Sequence, residues 1–134
     1  VFRSLHLRKE AEIMDRSGNI IYAVDFDGTL SRGRWPELGE PNEILFNFLK
    51  QQQKKGARVI PDTCRSGEQL EAAVKYCRDW GLEFDTVNEN LPELIELYGG
   101  DTRKINADFY IDDRAVNPNA GHFTVLPAGF NFEQ

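Results

Sequence analysis

Short apolar runs alternate with helical periodicity along most of this chain. Residues 20–24 (IIYAV) form a nearly continuous apolar run ending at Asp25, the pattern of a strand covered on both faces. Helical spacing follows at Ile44, Leu45, Phe48 and Leu49, opened by Pro41 and stopped by Gly56. Residues 57–60 (ARVI) predict a second strand that runs on towards Thr63. Leu70, Ala73, Val74 and Cys77 then recur at i, i+3, i+4 and i+7, with Ser66 and Gln69 as a capping box and Gly81 as the stop. Residues 84–87 (FDTV) predict a third strand. Leu91, Leu94, Ile95 and Tyr98 predict a third helix, with Asn90 as N-cap and Gly99-Gly100 as terminator. Phe109-Tyr110-Ile111 closes a fourth strand on Asp112-Asp113, and residues 123–126 (FTVL) read as a fifth.

Strand and helix in this alternation predict an α/β protein, a parallel sheet with helices on both faces. At 134 residues and 40% hydrophobic, the chain is one domain able to bury a real core. Residues 1–13 mix Arg, Lys and Glu with single apolar residues ahead of Met14, the one methionine. With no basic stretch followed by an apolar one, they read as an extension or an added segment rather than a signal peptide. The domain proper is then 14–134, and with no targeting signal it reads as cytoplasmic. No apolar stretch is long enough to span a bilayer, so no membrane partner is expected. The net charge of −6 excludes broad attraction to nucleic acid or anionic lipid, so any anionic ligand must be held by local groups. Two cysteines and no Cys-x-x-Cys exclude a disulfide framework and a zinc cluster.

Ligands of open parallel sheets bind at the carboxyl ends of the strands. There the first strand ends in Asp25-Phe26-Asp27-Gly28-Thr29, the second leads to Thr63, the fourth ends in Asp112-Asp113, and Lys104 lies just ahead of it. Four carboxylates so close would repel, and some would stay protonated. A divalent cation removes the conflict, and a hard, oxygen-lined site suits Mg²⁺. With a phosphoryl group added, one carboxylate can attack phosphorus. Its neighbour two residues on can protonate the leaving oxygen and then deprotonate water. Metal, lysine and hydroxyl would stabilise the charge on the equatorial oxygens.

The string Asp-Phe-Asp-Gly-Thr-Leu at 25–30, then Thr63, Lys104 and Asp112-Asp113, resembles the four motifs of the haloacid dehalogenase (HAD) superfamily in order. It is most similar to small, capless hydrolases of phage and bacterial type. The resemblance implies a three-layer Rossmann-like (HAD-like) fold with a mostly parallel five-stranded sheet, and a phosphomonoester hydrolase working through an aspartyl-phosphate. By the same resemblance, Asp25 is the nucleophile and Asp27 the general acid and then base. Thr63 and Lys104 hold the phosphoryl oxygens, and Lys104 also steadies Asp25. Mg²⁺ is bound by Asp25, the Asp27 carbonyl and Asp112, with Asp113 beside them. Gly28 permits the tight turn that follows the strand and Thr29 braces it, both counted with Arg65 among the phosphate-binding residues.

No cap domain fits: a loop and a helix fill the chain from Asp25 to Thr63, and helix, strand and helix fill it from Thr63 to Lys104. An open site admits a nucleotide, a polynucleotide end, a sugar phosphate or a phosphoprotein, unless a second copy in a homo-oligomer covers it. Arg32, Arg34, Arg65, Arg103 and Arg114 all lie near the motifs, and arginine forks suit phosphate. Arg65 is the best placed of them. Trp35, in the polar loop after the nucleophile strand, reads as an anchor of that loop to the core. Pro61-Asp62 departs from the family pattern, because proline ends or bulges a strand and Asp62 adds negative charge where phosphate should bind. It keeps open a HAD-like protein that binds phosphate or metal without turnover. A phospho-receiver module is the third reading, but its accepting Asp would follow the third strand, where this chain has Val87-Asn88.

Overall fold

The computed structural model describes residues 20–119. The expected extension at 1–13, Met14 and the fifth strand expected at 123–126 lie outside the described residues. Within them the elements are β1 (Ile21–Val24), α1 (Glu43–Lys54), β2 (Arg58–Pro61), α2 (Gly67–Asp79), α3 (Pro92–Tyr98) and β3 (Phe109–Ile111). The strands form one parallel sheet in the order β2-β1-β3, with Val24 opposite both Pro61 and Ile111. Among the described residues no helix is long and apolar enough to cross a membrane.

Side-chain alternation along β1 sorts the core into two layers. Tyr22 and Val24 join Val59, Phe46 and Leu49 of α1, and Ala73 and Cys77 of α2. Ile21 and Ala23 face the other way, onto Ile60, Ile105, and Leu91 and Leu94 of the α3 segment. All four β1 residues are buried, which is why its sequence is apolar without alternation. α1 buries Phe46 and Leu49 and leaves Ile44 79% exposed, a rotation from the face its spacing suggested. The run from Ile44 to Leu49 is apolar nearly all round, so periodicity alone cannot choose its inner side.

The strand expected at 84–87 does not form, and Pro61 supplies the reason. Arg58 and Asp62 donate their N–H groups to Ile20 and Val24 of the β1 side. Alternation therefore turns the Pro61 nitrogen to the outer edge, where it has no hydrogen to donate. What remains is one backbone bond, Asn88 N–H to the Pro61 carbonyl at 2.9 Å, and an Arg58–Asp85 ion pair at 2.7 Å. Two expected caps also differ. Asn42, not foreseen, caps α1 by accepting from Leu45 N–H. Ser66 stands at the N-cap of α2 without a side-chain cap bond. The N-cap of α3 is Leu91 with Pro92 following. Asn90 is instead buried, with its amide nitrogen donating to Asp101 and to the Thr102 carbonyl and its amide oxygen accepting from Asn106 N–H.

Candidate functional site

From β1 the chain crosses to β2 on one side and returns to β3 on the other, so the carboxyl end of β1 is a switch point of the sheet, where such folds open a crevice. Asp25 follows directly. Its N–H donates to the Ile111 carbonyl at 2.9 Å, while Asp62 N–H donates to the Val24 carbonyl on the opposite flank. The ladder thus sets Asp25 between Asp62 and the pair Asp112-Asp113. Asp25, Asp112 and Asp113 each offer an oxygen within 4.8 Å of the others, Asp25 half-buried and the other two exposed.

Thr29 ties the two loops of this cluster together. Its hydroxyl donates to Asp25 Oδ2 at 3.1 Å and accepts from Asp113 N–H at 3.1 Å, and the residue is buried. Gly28 makes the tight turn between them at φ +77°, and a Cβ there would come within 2.5 Å of Asp113 Oδ2.

Electrostatics follow from the crowding. Burial first, and the Asp112 charge second, push the Asp25 carboxyl up to about 6. Asp62 is raised by the same two causes in the same order. Among the described residues no lysine or arginine pairs with Asp25, Asp112 or Asp113. Three acceptor-rich side chains that repel one another, with no counter-charge among the described residues, fit a hard divalent ion that takes oxygen ligands.

Asp27 does not join that group by its side chain. Arg65 Nε and Nη2 fork its two oxygens at 2.9 and 2.7 Å. Arg65 also donates to the carbonyls of Pro36, Glu37 and Gln69 and lies 4.8 Å over the Phe26 ring. Each of its five N–H donors is thus engaged inside the chain, which corrects the expectation that Arg65 contacts phosphate. Thr63, just past β2, donates its N–H to Asn88 Oδ1 at 2.8 Å and accepts Arg65 N–H on its hydroxyl, leaving the hydroxyl hydrogen available. The Lys104 ammonium stands 4.9 Å over the Tyr110 ring and is not paired with Asp25, the contact that the HAD resemblance implies. Trp35 is 62% exposed, so it does not anchor its loop. Tyr76 does that, donating its hydroxyl to the Gly39 carbonyl at 2.7 Å. Asn88, Tyr76 and the Arg65 fork carried no signal in the sequence beyond side-chain type.

No family model and no curated protein matches the chain. The solved structure of a conserved protein coded by a locus from Bacteroides thetaiotaomicron is 41% identical to it. The match covers 73% of this chain and 78% of that one, with a TM-score of 0.65.

Proposed function

Since the chain belongs to the same family as this conserved Bacteroides thetaiotaomicron protein, its chemistry is to be read from its own residues. We propose that it is a Mg²⁺-dependent phosphomonoester hydrolase of the HAD type, acting through an aspartyl-phosphate on Asp25. The small parallel sheet with helices on both faces is compatible with a Rossmann-like frame for that chemistry. One observation carries the reading: Asp25 meets Asp112 and Asp113 at the sheet's switch point, their oxygens within 4.8 Å. The order of the Asp25-Phe26-Asp27-Gly28-Thr29, Thr63, Lys104 and Asp112-Asp113 motifs adds to it.

In this reading the Thr29 hydroxyl holds Asp25 Oδ2 and leaves Oδ1 to attack phosphorus. Asp27 protonates the leaving oxygen and then takes a proton from water. The Thr63 hydroxyl hydrogen points to a phosphoryl oxygen, and Lys104 joins it by leaving the Tyr110 ring. Asp25, the Asp27 carbonyl and Asp112 would hold Mg²⁺, with Asp113 beside them. The bound ion supplies the positive charge that the acids lack and stabilises the transferring phosphoryl group. The exposure of Asp112 and Asp113 suits a substrate as large as a polynucleotide end or a phosphoprotein, and equally a nucleotide or sugar phosphate. A cytoplasmic place of work goes with these substrates.

The test is hydrolysis of p-nitrophenyl phosphate with Mg²⁺, with EDTA, and with Asp25→Asn. Turnover that needs both the metal and Asp25 supports the reading. Absence of turnover in the wild-type protein with a panel of phosphate esters overturns it. Asp62 beside Asp112 and Lys104 over Tyr110 favour one rival, a protein that binds the metal without turnover. Calorimetry would then show Mg²⁺ binding with no phosphate released.

A further inference from the structure

Arg65 is 3% exposed, and its guanidinium joins three parts of the chain. It forks Asp27 in the loop that leaves β1. It donates to the Pro36 and Glu37 carbonyls, at 3.4 and 2.9 Å, in the loop spanning 31–41. It donates to the Gln69 carbonyl, at 3.3 Å, in the first turn of α2. That loop has its own closure. The buried Ser31 hydroxyl accepts from Gly33 and Gly39 N–H at 3.1 and 3.0 Å, and Tyr76 holds the Gly39 carbonyl. A two-bond fork fixes the plane and direction of a carboxylate as a single contact cannot. Lysine, a point charge on a flexible stem, would not reproduce it.

We propose that Arg65 is a positioning residue for Asp27, holding its carboxylate for the water-activating half of the reaction and coupling that hold to the 31–41 loop. The proposal rests on the hydrolase reading above. In that half-reaction a water oxygen bonds to phosphorus as the bond from phosphorus to the Asp25 oxygen breaks. One water proton passes to Asp27, Asp25 returns to a carboxylate, and inorganic phosphate departs. A misaimed Asp27 slows this step. It leaves the first step nearly intact when the leaving group is p-nitrophenolate, which departs without a proton.

The experiment compares wild type, Arg65→Lys and Tyr76→Phe with p-nitrophenyl phosphate and Mg²⁺, by rapid quench and steady state. Each rate is normalised to the folded fraction from circular dichroism. For Arg65→Lys we expect kcat to fall on the order of 10²-fold, as for a misplaced catalytic group. kcat/KM should change little, with a burst of about one p-nitrophenolate per enzyme and a hydroxylamine-labile phosphoenzyme. Tyr76→Phe keeps its ring and loses the two ties of its hydroxyl to the loop, to the Gly39 carbonyl and to the Ser31 side chain, so it should fold and show the same split at a few-fold. Equal losses of kcat and kcat/KM without a trapped phosphoenzyme, in Arg65→Lys or, if that variant does not fold, in Tyr76→Phe, overturn the proposal and leave the hydrolase reading standing. A wild-type protein with no turnover overturns both.

Discussion

Asp25 and Asp27 leave β1 two residues apart and meet opposite surroundings. Asp27 lies in a guanidinium fork whose partner side chain is 1% exposed. Asp25 faces Asp112 and Asp113 within 4.8 Å, and it accepts from the neutral hydroxyl of Thr29. Among the described residues, then, one carboxylate is completed by a charge of the chain itself and the other is not. A buried arginine with its partner removed costs several kcal/mol, whereas relieving like-charge crowding releases free energy. Amide substitution at the two positions should act on stability with opposite signs.

The largest effect expected is on activity. Asp25→Asn removes the proposed nucleophile and should lower hydrolysis of p-nitrophenyl phosphate by about 10⁴-fold or more, the order seen when a nucleophile is deleted. Near-normal rates in that variant would remove Asp25 from the reaction and the contrast with Asp27 along with it. Next is Asp27→Asn, which leaves the Arg65 charge in place and halves its fork. Urea unfolding should show a loss of about 3 kcal/mol. An unchanged midpoint would mean that the fork contributes little to holding the loop to α2. Smaller again is Gly28→Ala. The left-handed backbone at φ +77° costs a side chain about 1 kcal/mol, and the new methyl pushes Asp113 Oδ2 out of the cluster. Weaker Mg²⁺ binding by calorimetry, with folding retained, is the expected result.

Much of this arrangement is legible in the sequence, and what is not has physical causes. Continuous apolar runs mark β1 and β2, because a strand covered on both faces has no polar side to alternate with. Gly56, Gly81 and Gly99 sit where helices stop, and each takes a positive φ that other residues resist. From the run of strands ending in Asp25, Asp62 and Asp112, the meeting of acids at one sheet edge follows without coordinates. The failed strand at 84–87 was also readable, had the missing hydrogen of Pro61 been assigned to the outer edge. Arg65 is different. Its type says only that it can bind an anion, and nothing along the chain distinguishes a phosphate from Asp27. Lys104 carries the same ambiguity, since a lysine can rest over the Tyr110 ring, as it does, or hold a phosphoryl oxygen. Phe46 was hidden because α1 is apolar on more than one side, so the choice of buried face depends on how the helix lies on the sheet.

The smallest effect separates the two carboxylates through pH. Asp25 is raised from 3.8 to about 6 by burial and by Asp112, so between about pH 4 and 6 the folded protein keeps a proton that the unfolded chain has released. The folded state binds more protons there, and stability falls as pH rises through that window. Above about 6 the cost is constant. Asn does not titrate, so in EDTA Asp25→Asn should match wild type near pH 4, gain on it up to pH 6, and stay more stable at pH 7. The full shift converts to roughly 3 kcal/mol; solvent reaches about half of the group, which leaves about 1 kcal/mol. Denaturant midpoints at pH 4, 5, 6 and 7 would read it directly. Saturating Mg²⁺ should then reverse the order at pH 7, because an ion that binds the folded site stabilises wild type by mass action and finds a ligand missing in the variant. If Asp25→Asn keeps its advantage at saturating Mg²⁺, the cluster is crowded acid with no ion to hold, and the difference between Asp25 and Asp27 is one of packing alone.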